Sequence, residues 1–107
     1  MLKRANVILL IYDLPRVEYS DAKRAEKFRK DIIKIGYVPV QKSVYAKVIH
    51  NRGITDQEVK RLRAIAPTKG DVNAFVMSLG EFKKMVHISG NEKNFNMSKF
   101  SDEIVEI

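Results

Sequence analysis

The chain has 107 residues, room for one compact domain, and 45% of them are apolar, enough to build one core. That composition excludes a wholly disordered chain, and the absence of Cys excludes disulfides, zinc-thiolate sites and thiol nucleophiles. Twenty Lys and Arg stand against 13 Asp and Glu, a net charge of +7 that favours a polyanionic partner, nucleic acid ahead of an anionic membrane, unless the charge serves only solubility.

The longest apolar run, Val7 to Tyr12, is too short to cross a bilayer. It follows Lys3 and Arg4 as the core of a signal peptide would. Asp13-Leu14-Pro15 end it without a small-residue cleavage site, so a soluble, cytoplasmic protein is expected. Both alternating faces of the run are apolar, which predicts a buried central strand. Ser20 or Asp21 can cap the next element, a helix to about Gly36. Ala25, Phe28, Ile32 and Ile35 form its apolar stripe, and Lys23, Lys27, Lys30 and Lys34 recur at the same intervals on another face. Gly36 stands where a left-handed helix end is expected.

Tyr37 to Ile49 is rich in strand formers. Pro39 cannot donate to a ladder, so the first part is expected as a short edge strand, with a break near Gln41-Lys42 and a longer strand over 43–49. Asn51-Arg52-Gly53 is a turn. Thr55 and Glu58 have capping-box spacing, and the helix they open turns Val59, Leu62 and Ile65 inward and stops before Pro67. A strand over 72–79, a brief helical turn over 81–86, a polar loop over 91–98 and a tail strand over 103–107 complete the chain.

The order is βαββαβ with an extra C-terminal strand, the ferredoxin-like α+β sandwich. A single domain is expected over 1–107, its core in 1–86 and a loop and tail strand in 87–107. Both helices should lie on one face of the sheet. The first strand is apolar toward the other face too, so something must cover it. A second copy, joined through the sheet with help from the tail strands, is the economical answer.

Val7 to Pro15, reading V-I-L-L-I-Y-D-L-P, resembles the opening strand and Asp of the CRISPR-associated Cas-two family. Lys27-Phe28-Arg29-Lys30, Gly36-Tyr37, the segment Gln41 to Lys47, Pro67-x-x-Gly70-x-Val72 and Phe82-x-x-Met85 continue the match in order and spacing. The pattern looks most like the variant found beside the RNA-guided Cas-nine nuclease. The resemblance implies a homodimer that binds the integrase Cas-one, holds prespacer double-stranded DNA on its basic surface and serves spacer insertion into the CRISPR array. It also implies, as an alternative, a magnesium-dependent endonuclease on RNA or DNA, with Asp13 as the metal-linked residue.

Asp13 lies at the end of the first strand, and with its symmetry mate in a dimer it would offer two carboxylates. Magnesium keeps most of its waters, so two carboxylates and phosphate oxygens would suffice. The plainer role for Asp13 is to cap the turn into Pro15. The lysine stripe, with Arg24 and Arg29 beside it, is the candidate phosphate-binding surface, since such contacts need cations along a line. A solvated face is the other explanation. Lys60, Arg61 and Arg63 could extend the surface. Ser43 could bond a phosphate or stabilise the strand start, and Gln41 fits hairpin packing. His50 and His87 lack metal-ligand spacing. An RNA-recognition module shares the fold class, but Ser43 to His50 lacks its Gly- and aromatic-rich strand pattern. Few aromatics are placed for base stacking, which argues against single-strand readout.

Overall fold

The computed structural model describes residues 5–90. Strand β1 (Asn6–Asp13) leads to helix α1 (Tyr19–Lys34), the hairpin β2 (Val38–Gln41) and β3 (Val44–Ile49), helix α2 (Thr55–Ile65), strand β4 (Asp71–Ser78) and the short helix α3 (Leu79–Lys83). The four described strands form one antiparallel sheet in the order β2-β3-β1-β4. This split arrangement, with β1 central, is the expected ferredoxin-like sandwich. The expected tail strand over 103–107 and the polar loop over 91–98 lie outside the described residues.

Alternation along β1 sends Ile8, Leu10 and Tyr12 to one face. There they meet Phe28 and Ile32 of α1, Leu62 of α2, and Tyr37, Tyr45 and Ile49 in one buried cluster. The Tyr12 ring lies edge-on to Phe28 with centroids 5.2 Å apart, and stacks on Tyr45 at 6.0 Å. Both long helices thus cover the same face. Gly36 has φ +106°, the left-handed conformation that ends α1 as its position implies. Pro39 sits on the edge strand, and a register shift between Pro39 and Gln41 bends it. The break before β3 falls at Lys42-Ser43.

The helix starts differ from expectation. Helix α1 opens at Tyr19 after Glu18, and no side chain caps it. Asp21 is buried instead, pairing with Arg24 at 2.9 Å and with Lys69 of the α2–β4 loop at 3.4 Å. Nor does a capping box open α2. Asn51 accepts a hydrogen bond from the Gly53 amide at 2.8 Å and starts a 3-10 turn that runs into the helix. Glu58 points into the core, accepting from the Tyr37 hydroxyl at 3.2 Å and Lys47 Nζ at 3.0 Å. In both helices a residue of capping type is drawn into a tertiary ion pair, because a buried carboxylate must find cations and donors.

The second face of the sheet carries Val7, Leu9 and Ile11 of β1, with Val48, Ala46 and Val44 opposite on β3 and Met77, Phe75 and Asn73 opposite on β4. Part of the cover comes from the chain itself. Phe82 of α3 is buried against Val7, Val40 and Ala46, and the Leu79 amide donates to the Ala5 carbonyl at 3.0 Å. Toward β4 the cover ends: Phe75 is 59% exposed, and the outer edge of β4 pairs with no described strand.

Candidate nucleic-acid site

Asp13 is the last residue of β1, and alternation places it on the second face, with Val7, Leu9 and Ile11. The β1–β4 register sets Asp71, the first residue of β4, directly opposite it, and both are exposed. Residues paired this way stand about 5 Å apart at Cβ, and like charges so placed destabilise a sheet. A cation shared by the two carboxylates would remove that penalty. Two carboxylates on adjoining strand ends, open to solvent, suit magnesium, which takes few protein ligands. Among the described residues there is no cluster of three or more acidic or histidine side chains that could hold a metal.

Gly70 makes this approach possible. Its φ of +91° is left-handed, and a Cβ there would lie 2.7 Å from the Asp13 carbonyl oxygen and 3.0 Å from Pro15 Cδ. The loop entering β4 therefore lies directly on the Asp13-Leu14-Pro15 turn. Gly70→Ala should cost about 2 kcal/mol, from the left-handed backbone and the displaced carbonyl. Chemical denaturation would measure it, and an unchanged midpoint would show that the turn yields freely.

Ser43 lies beside the same strand end. Its φ is +62°, and its carbonyl accepts from the Tyr12 amide at 3.1 Å, extending the β1–β3 ladder past Val44. Next to Asp13 in the chain, the Tyr12 hydroxyl is pushed up to about 12 by burial and by Tyr45 beside it, so it stays protonated at neutral pH.

The α1 cations form two sets. Arg24 pairs with Asp21, Lys27 with Asp31 at 2.8 Å, and Arg29 with both oxygens of Glu26. Hydrogen bonding to Arg29 holds the Glu26 carboxyl below its ordinary value. Lys23, Lys30 and Lys34 are exposed and have no carboxylate partner among the described residues. Lys23 Nζ lies 5.4 Å from the centre of the Tyr19 ring. On α2, Arg61 approaches Glu58 at 3.9 Å, and Lys60 and Arg63 are exposed.

The structure thus gathers Asp13 and Ser43 at one strand end, while the α1 lysines lie in the helical layer on the other side of the sheet. Asp71 escaped sequence reasoning because it is an ordinary turn residue until β4 is registered against β1. The signal available was Lys69-Gly70-Asp71 ahead of a strand that must pair antiparallel with β1, beginning where β1 ends.

A family model described as CRISPR associated protein Cas2 matches residues 6–85, the interval from the start of β1 to just past α3. Curated relatives named CRISPR-associated endoribonuclease Cas2 are similar over most of the chain. The one from Campylobacter jejuni is 32% identical over 90 residues, covering 80% of this chain and 63% of its own length, less than two thirds. The one from Ligilactobacillus salivarius is 29% identical over 85 residues, covering 79% of this chain and 84% of its own. One from Streptococcus mutans is 26% identical over 98 residues, covering 92% and 91%. The matched interval carries every element that builds the sheet and both flanks of the Asp13 turn, and the chain belongs to the CRISPR-associated Cas2 family.

Proposed function

We propose that two copies of this chain form a structural subunit of CRISPR spacer acquisition, which binds the integrase and holds prespacer duplex DNA. The observation that carries this reading is the row of exposed lysines along the 16-residue helix α1, of which Lys23, Lys30 and Lys34 form no ion pair with a described carboxylate. Lys23 and Lys34 are about 17 Å apart along the helix axis. That length matches about five phosphates of one DNA strand. Pairing between copies is supported by Phe75 and the open β4 edge, an apolar end of the sheet that the described chain does not cover itself.

Changing Lys23, Lys27, Lys30 and Lys34 together to Ala tests the reading. Duplex affinity should fall, and the slope of log affinity against log salt should flatten by about 0.9 for each phosphate no longer neutralised. An unchanged slope would assign the four lysines to solubility and overturn the proposal.

A second reading, metal-dependent cleavage of nucleic acid, is favoured by the opposed carboxylates and by the endoribonuclease name of the relatives. Asp13 and Asp71 would hold magnesium, which when bound neutralises phosphate charge and acidifies a water. The two carboxylates would orient the ion at the rim of the sheet, and Gly70 lets their strand ends close on each other.

A further inference from the structure

Asp21 stands in the first turn of α1, and its side chain is only 4% exposed. It shares a small cleft with Leu14 and Pro15 of the Asp13 turn, Ala25 of α1 and Pro67 of the α2–β4 loop. A carboxylate among such neighbours must find cations. Its Oδ1 takes two, Arg24 Nη1 at 2.9 Å and Lys69 Nζ at 3.4 Å. Arg24 belongs to the same helix, whereas Lys69 reaches Asp21 from 48 residues along the chain. Gly70 and Asp71 follow Lys69 directly, and Gly70 lies on the Asp13 carbonyl. Glu18, three residues before Asp21, is exposed and forms no ion pair among the described residues, so it does not share Lys69.

We propose that the Asp21–Lys69 pair is a tether that positions Asp71 beside Asp13 for a shared divalent cation. This rests on the metal-dependent reading above and deepens it: Asp21 and Lys69 are positioning residues and touch no ion themselves. The need for a tether comes from the register. Asp13 and Asp71 are the last rung of the described β1–β4 ladder, and their like charges push that end of the sheet open. Lys69 resists from just outside the rung, held by a buried carboxylate that the rigid helix fixes in place. Charge alone gives Lys69 the opposite role, because an ammonium two residues before Asp71 repels a metal ion. The two roles differ in sign. Removing a cation near a metal site tightens metal binding through space, whereas cutting a tether weakens it.

Manganese(II), which takes the same oxygen ligands as magnesium, is the probe. It is titrated into the full chain without nucleic acid and followed by the spin-resonance signal of the free ion. Lys69→Ala should weaken manganese binding by about tenfold although it removes a positive charge, and Lys69→Arg should restore it. Lys69→Ala leaves Asp21 paired with Arg24, so its urea midpoint should stay close to that of the wild type. Asp21→Asn should weaken binding as Lys69→Ala does, and the two changes together should weaken it no further. Unchanged or tighter binding in Lys69→Ala would overturn the tether, and so would additive losses or a Lys69→Arg variant no better than Lys69→Ala. A midpoint that falls in step with affinity would make the pair a support of the fold and overturn it too. Wild-type protein that binds no manganese, or binds it no better than Asp13→Ala, would defeat the metal reading and the tether with it. That outcome is distinct from a wild-type site that ignores Lys69.

Discussion

If the chain is the structural subunit proposed above, Asp13→Ala should abolish any magnesium-dependent cleavage of nucleic acid while leaving dimerisation, duplex binding and spacer acquisition in place. The two parts of this expectation rest on different features of the fold. Cleavage through a metal needs both opposed carboxylates, and removing Asp13 leaves Asp71 as one exposed carboxylate at a strand end. A side chain so exposed contributes little apolar burial, so its loss should cost at most about 1 kcal/mol of stability. Relief of the repulsion between Asp13 and Asp71 offsets part of that cost. The lysine row lies in the helical layer, and the sheet itself stands between it and Asp13, so the change does not reach the proposed phosphate-binding surface of α1.

The deciding measurements are cleavage by purified protein with magnesium or with chelator, and insertion of new spacers in cells carrying the variant. Acquisition that disappears in a variant which still pairs and binds duplex would defeat the structural reading and favour the nuclease. Asp71→Ala should reproduce the loss of cleavage. If cleavage persists without Asp71, the carboxylate across the register is not a ligand.

Glu58→Ala should lower the stability of the fold by about 3 kcal/mol, the low end of the cost of breaking a buried ion pair. Glu58 is 6% exposed, and through it Lys47 of β3, Tyr37 after α1 and helix α2 are joined. Its removal strands the Tyr37 hydroxyl in the core and leaves Lys47, itself only partly exposed, beside the Tyr37 ring at 5.7 Å. Burial, with the charge of Glu58 beside it, holds that hydroxyl far above its ordinary value, so at neutral pH it remains a donor in need of an acceptor. Glu58→Gln keeps an acceptor for Tyr37 and removes only the charge, so it should cost less than half as much. Urea unfolding of the two variants checks the order, and equal losses would show that the charge of Glu58 facing Lys47, rather than its hydrogen bond with Tyr37, holds α2 in place.

The amphipathic spacing of α1, the doubly apolar β1, Pro39 on an edge strand and Gly36 at a helix end were legible in the residues, because each depends on local geometry and periodicity. They sufficed for the order of elements and the sandwich. The family was legible too, since its motifs lie in the segments that build β1, the β2–β3 hairpin and the Gly70 turn. Tertiary structure decided what each polar side chain does. Asp21 and Glu58 have capping identities and spacing, yet burial committed them to Lys69 and Lys47. Asp71 joined Asp13 only through strand register, which fixes cross-strand neighbours and has no trace in local sequence. Tyr19 differs from Tyr12, Tyr37 and Tyr45 only in where the sheet and helices close, and that closure left its ring in water.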